Sequence, residues 1–180
     1  MTRVQIHDSK TAPPQSADAL KALDHKYGMT LNIFGAMANS PAVLNTFVAI
    51  EGSIAEHTSL DRRTRDAIHL TVANVNECTY CQGAYTMAAK AAGFDDERAK
   101  QIRRGVVEGD DKLTALLALT REVATSRGSV DDATWRTAVE AGWSEQQLLE
   151  AFADTVRTIF TNFFNHFVDT EQDVPAAPPV

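Results

Sequence analysis

Helix start and stop signals follow one another along almost the whole chain, and no stretch sustains the alternation of polar and apolar residues that a strand needs. Ser16 predicts a helix to about Tyr27, closed by Gly28, and a short apolar segment follows at 31–38. Ser40-Pro41, an N-cap followed by proline at the first helical position, opens a helix to about His57. Thr58 or Ser59 caps a helix over 60–75, and Asn76 caps one over 77–92 that Gly93 ends. Further helices are predicted from Asp95 to Gly105, from Asp110 or Asp111 to before Gly128, and from Asp131 to Gly142. Ser144 and Gln147 form a capping box for a last helix reaching about Asp169. The prediction is an all-α fold with one helical domain over 16–170. Residues 1–15, with Pro13-Pro14, and the proline-rich 171–180 read as a flexible arm and a flexible tail.

Two of these helices stand apart. Residues 67–75 are apolar nearly all round, which predicts a central helix. The last helix carries Leu149, Phe152, Val156, Phe160, Phe163 and Phe167 on one face and further apolar residues beyond it. That is more apolar surface than the outer helix of a monomer needs, so a homo-oligomer is expected.

A chain of 180 residues has room for a core that needs no disulfide or structural metal. Its net charge of −7 argues against a nucleic-acid or anionic-membrane partner. No apolar run is long enough to span a bilayer, and the polar N-terminus lacks the core of a signal peptide, so the expected location is cytoplasmic.

The only two cysteines, Cys78 and Cys81, are separated by two residues. At the start of a helix they share a face, and the unpaired N–H groups and positive dipole end there favour the thiolate, the reactive form of cysteine. Tyr85, four residues on, lies on the same face. Read from the residues alone, the pair is a redox dithiol, two small buried hydrophobes, or part of a metal site. Zinc normally takes four ligands, and neither a second CxxC nor a paired-histidine motif is present, so no metal or cofactor is expected. Asp66 and His69 lie one turn apart on the preceding helix. They read either as a proton relay to the thiols or as an exposed first-turn carboxylate and a satisfied buried histidine.

The stretch 65–85, RDAIHLTVANVNECTYCQGAY, followed by AAKAAG at 88–93, resembles the core of the carboxymuconolactone decarboxylase superfamily, and within it the alkylhydroperoxidase D-like branch. That branch has a glutamate, a cysteine twelve residues on, a second cysteine at CxxC spacing and a histidine four residues later. The resemblance implies a single-domain helical bundle of the alkylhydroperoxidase D-like type and a homo-oligomer, trimer or hexamer. It implies reduction of alkyl or hydrogen peroxide, with Cys81 attacking, Cys78 resolving to a disulfide and an external dithiol restoring the pair. Asp66 falls at the glutamate position and Tyr85 at the histidine position.

Both relay positions depart from the pattern. Aspartate is one methylene shorter, and a phenol of pKa about 10 is a poor proton acceptor at neutral pH beside an imidazole of about 6.5. His69 is the candidate to supply the missing imidazole. Glu77, beside Cys78, is expected to oppose a thiolate there and so favour Cys81 as nucleophile. Two alternatives stay open: a lactone decarboxylase-type enzyme, against which the retained cysteines count, and a non-enzymatic redox switch, which the altered relay favours.

Overall fold

A computed structural model describes residues 1–180 and contains nine helices and no strand. In chain order they are α1 (Pro14–Tyr27), α2 (Asn32–Met37), α3 (Pro41–His57), α4 (Arg62–Val75), α5 (Thr79–Ala91), α6 (Asp96–Arg104), α7 (Asp111–Thr125), α8 (Asp132–Glu140) and α9 (Glu145–Val168). α4 is the central element and packs against α5, α6, α7 and α9. Ala67, Ile68, Leu70, Val72 and Ala73 are completely buried along it, as its all-round apolar sequence predicts.

Several ends follow the sequence signals. Ser40 accepts from the Val43 N–H, and Ser144 with Gln147 closes a complete capping box. Gly28 and Gly105 end α1 and α6 in the left-handed conformation that glycine adopts without steric cost. Three ends differ. α1 starts at Pro14, so Ser16 is a buried residue inside its first turn. Asp61, not Thr58 or Ser59, caps α4; those two hydroxyls instead hold the Glu150 carboxylate of α9. Asn76 closes α4 rather than opening α5, whose N-cap is Cys78.

α9 inverts the usual arrangement of a surface helix. Its inner face is polar: Asp154, Arg157, Thr158, Thr161, Asn162 and Asn165 are buried. The apolar side chains of Leu149, Phe152, Val156, Phe163 and Phe167 point outward and are exposed. Only Phe160 of that face packs partly against the core formed by α1, α2, α3 and the start of α5.

The terminal segments, read from sequence as an arm and a tail, make specific contacts. The Arg3 N–H donates to the Val168 carbonyl at 2.7 Å, and the His7 N–H to the Gly35 carbonyl at 3.1 Å. In the tail, Asp173 accepts from the Asn32 N–H at 2.7 Å. Arg103 reaches the Pro178 carbonyl, and the Pro175 carbonyl lies where a Cβ on Gly83 would stand. Glycine at position 83 is what lets the tail lie directly on α5.

Candidate active site

The two cysteines sit where α4 hands over to α5. The connection is three residues long, and Glu77 within it adopts a left-handed φ of 53°, turning the chain sharply. The Cys78 N–H then donates to the Ala73 carbonyl at 3.0 Å, which fixes Cys78 as the α5 N-cap. Its Sγ accepts from the Cys81 N–H at 3.3 Å, the role a serine or aspartate oxygen usually plays. Both thiols are free and buried, Cys78 at 1% and Cys81 at 3% exposure.

The inward polar face of α9 closes over them. Asn165 directs its Nδ2 group at both sulfurs, 3.1 Å from Cys81 Sγ and 3.8 Å from Cys78 Sγ. Asn162, one turn back, is held through its Oδ1 by Asn76 at 2.9 Å. The sulfurs are not equivalent. Cys78 is pulled below the ordinary thiol pKa, first by the Cys81 thiol donating to it and further by the Cys81 N–H and Asn165. Cys81 is pushed well above the ordinary value by burial, and then by the hydrogen bond that its thiol gives to Cys78. Of the two thiols Cys78 is therefore the first to lose its proton, and Cys81 the one that keeps it. Glu77, expected to oppose a thiolate at Cys78, is exposed at the left-handed turn, and the largest influences on Cys78 are Cys81, burial and Asn165.

Beyond Cys81 on the same face, Tyr85 meets a cluster of buried charges. Arg157 Nη1 donates to the phenol oxygen at 2.6 Å, and Thr161 Oγ1 lies 3.3 Å from it. The Thr161 hydroxyl hydrogen is engaged with the Thr158 carbonyl, so in the Tyr85–Thr161 contact the phenol is the donor. Arg157 Nε is anchored on Glu51 at 2.8 Å, and Lys26 binds the other Glu51 oxygen at 2.8 Å. Burial alone would raise Glu51, yet Arg157 and Lys26 hold its carboxyl down at about 2. Burial raises the Tyr85 phenol and keeps it protonated.

His69 lies against Tyr85, ring centroids 5.2 Å apart, and its Nε2 is 2.8 Å from Asp154 Oδ1. Asp154 is completely buried and also takes the Arg65 guanidinium at 2.8 Å. His69 and Arg65 hold Asp154 at about 2 against the effect of burial. Burial, and then Arg157, push His69 below its ordinary value, so the imidazole is neutral. An ionised Asp154 requires the His69 proton to sit on Nε2, leaving Nδ1 as the acceptor.

Of the residues singled out from sequence, Cys78, Cys81, Tyr85 and His69 come together around the α5–α9 seam. Asp66 does not join them by hydrogen bonding. It is buried near the start of α4, and its carboxylate bonds Arg62 of its own helix at 3.4 Å. Asn165, Asn162, Arg157, Asp154 and Glu51 escape a sequence reading. The only sign of the four on α9 is that polar residues recur there at helical spacing opposite the phenylalanines. No three His, Cys, Asp or Glu side chains converge as a metal site would require. No helix is long and apolar enough to cross a membrane. A cleft of about 400 Å³ bounded by Leu60, Arg63, Phe94 and Trp143 includes none of the thiol-site residues.

Residues 41–122 match the carboxymuconolactone decarboxylase family. No curated protein matches the sequence. Among solved structures, a peroxidase-related protein from Ralstonia eutropha JMP134 with an alkylhydroperoxidase D core superposes with a TM-score of 0.84 at 17% identity, covering 96% of this chain and 92% of its own. A peroxidase-related protein from Silicibacter sp. TM1040 gives 0.81 at 18% identity, over 94% and 91%. The debrominase Bmp8, in a cysteine-to-alanine variant bound to 2,3,4-tribromopyrrole, gives 0.81 at 17% identity, over 99% and 94%. The matched segment runs from the start of α3 into α7 and contains both cysteines, and the likeness in fold to these solved structures extends over nearly the whole chain.

Proposed function

We propose that the protein is a dithiol peroxidase that reduces alkyl or hydrogen peroxide through Cys78 and Cys81. The observation that carries this reading is the placing of both sulfurs at one helix N-terminus, where the Cys81 N–H donates to Cys78 Sγ and the Asn165 amide is directed at both. In this reading Cys78, the more acidic thiol, is the one ionised, and Cys81 lies on the side facing Tyr85. As Cys81 attacks the O–O bond, its proton passes along the S–H···S contact to Cys78. Cys81 becomes a sulfenic acid and the departing oxygen takes a proton to leave as alcohol or water. The Cys78 thiol then displaces water from the sulfenic acid and closes the disulfide. An external dithiol reduces that disulfide, becoming oxidised itself. A buried, unpaired dithiol suits a reducing compartment such as the cytoplasm.

The reduced protein, treated with tert-butyl hydroperoxide and weighed intact, is expected to lose two hydrogens rapidly, and to turn over when a dithiol is supplied. Oxidation no faster than that of free cysteine would end the peroxidase reading. Bromide release from a bromopyrrole in its place would assign the dithiol to halogenated arenes.

The same reading has the protein acting as a homo-oligomer, trimer or hexamer, with the outward apolar face of α9 against another copy. Sedimentation at micromolar concentration should give a multiple of 19.6 kDa; a species of that single mass would contradict it.

A further inference from the structure

The departing oxygen needs a proton, and in the reaction proposed above the Cys81 proton ends on Cys78 and not on that oxygen. We propose that the donor is the phenol of Tyr85, polarised by Arg157, so that α9 brings to this site a cation that stands in for the imidazole of the family pattern. The inference rests on the peroxidase reading above.

The argument begins with hydrogen accounting. The phenol oxygen accepts from Arg157 at 2.6 Å, and its own proton goes to Thr161 in a long contact of 3.3 Å. The proton is therefore held loosely and can be redirected to a better acceptor. A departing alkoxide is such an acceptor, and Tyr85 is one turn beyond Cys81 on the face they share. When the phenol O–H breaks, the new phenolate sits against a guanidinium that is already in place, so no charge has to be moved into the site. That guanidinium is fixed from behind: Glu51 takes its Nε at 2.8 Å, and Glu51 is itself tied to Lys26. Arg157 also lies over the ring of Phe47, with Cζ 5.3 Å from the centroid. The phenol ring is held on its other side by His69, whose Nε2–H is fixed on Asp154. Arg157, Glu51 and His69 are then positioning residues and Tyr85 is the catalytic acid.

Leaving groups of different basicity separate this role from a structural one. An alkyl hydroperoxide releases a strongly basic alkoxide, peracetic acid releases acetate, and iodoacetamide releases iodide, which takes no proton. For Tyr85→Phe, the ratio of the tert-butyl hydroperoxide rate to the peracetic acid rate should fall by about 10²-fold, with the iodoacetamide rate tracking peracetic acid. Arg157→Lys, which keeps the charge but loses the two-point anchor, should lower the same ratio to a smaller extent. Equal slowing of all three reagents would make Tyr85 a packing residue and overturn the proposal, as would an unchanged ratio. Wild-type protein that reduces neither peroxide faster than free cysteine would remove the peroxidase reading and this inference together. Fast wild-type reduction with an unchanged Tyr85→Phe ratio would remove the inference alone.

Discussion

Asp154→Asn is expected to destabilise the protein by about 3–5 kcal/mol at pH 7, because it removes one half of a buried charge arrangement and leaves the other half in place. Asp154 is completely buried, and both of its oxygens are committed, Oδ2 to Arg65 Nε and Oδ1 to His69 and Arg65 Nη2. An amide keeps the shape, but in either orientation its NH2 group would face a guanidinium N–H, donor against donor. The pH dependence identifies the cause. Asp154 and Glu51 are both held near 2 in the folded protein, below their ordinary values of 3.8 and 4.5. A depressed carboxyl contributes stability that is present above its unfolded pKa and is lost as pH falls toward its folded one, so this contribution fades between roughly pH 4 and pH 2. Each carboxyl contributes on the order of 2–3 kcal/mol across that window. Urea unfolding of wild type and Asp154→Asn should therefore show a wide gap at pH 7 that narrows by pH 3. A gap under about 1 kcal/mol at pH 7 would mean that the cluster is solvated and contributes no more than a surface pair.

Cys81→Ser is expected to abolish oxidation by hydroperoxide, since the sulfur facing Tyr85 is gone. Cys78→Ser should have a different effect. It leaves Cys81 able to form a sulfenic acid but unable to close a disulfide, and it removes the thiolate that accepts the Cys81 proton. Burial, the main cause of the raised Cys81 value, remains. The oxidation rate of Cys78→Ser should therefore be small at pH 7 and climb with pH well past the range in which wild type has levelled off. Sulfenic acid trapping with a carbonyl nucleophile, followed by mass measurement from pH 6 to 10, reads both effects. A sulfenic acid formed on Cys78 in Cys81→Ser at the wild-type rate would show that the resting thiolate attacks directly, and the two roles would exchange.

The fold was legible because helix boundaries are local chemistry. Ser40-Pro41, the Ser144–Gln147 box, Gly28 and Gly105 each act on the turn beside them, and each is where the sequence places it. The misplaced boundaries were contests between neighbours: Asp61 outranks Thr58 and Ser59 because their hydroxyls are drawn to Glu150 across the fold. The start of α5 was misread for a different reason. Asn76 is the better intrinsic cap, but Cys78 holds the position because the chain turns at Glu77 and the Cys78 N–H returns to Ala73. The thiols and Tyr85 were visible as a motif within one turn of helix. Their partners were not, since Arg157 is 72 residues from Tyr85 and Asp154 is 85 from His69. The inner face of α9 was the harder one to read, since its threonines and asparagines look like surface and are buried.

That inverted helix makes one rigid body carry two unrelated surfaces. α9 has 24 residues, a rod about 36 Å long. Its inner edge sets the reach of Asn165 to each sulfur, 3.1 Å against 3.8 Å, and its outer edge is a row of phenylalanines, Phe152, Phe163 and Phe167. A rod transmits displacement, so a shift of a few tenths of an ångström imposed on the outer row is enough to even out the two amide–sulfur distances. Anything that docks on the outer row would thereby act on thiol acidity, and substitutions on the outer surface can retune the dithiol with no change to any residue that touches it.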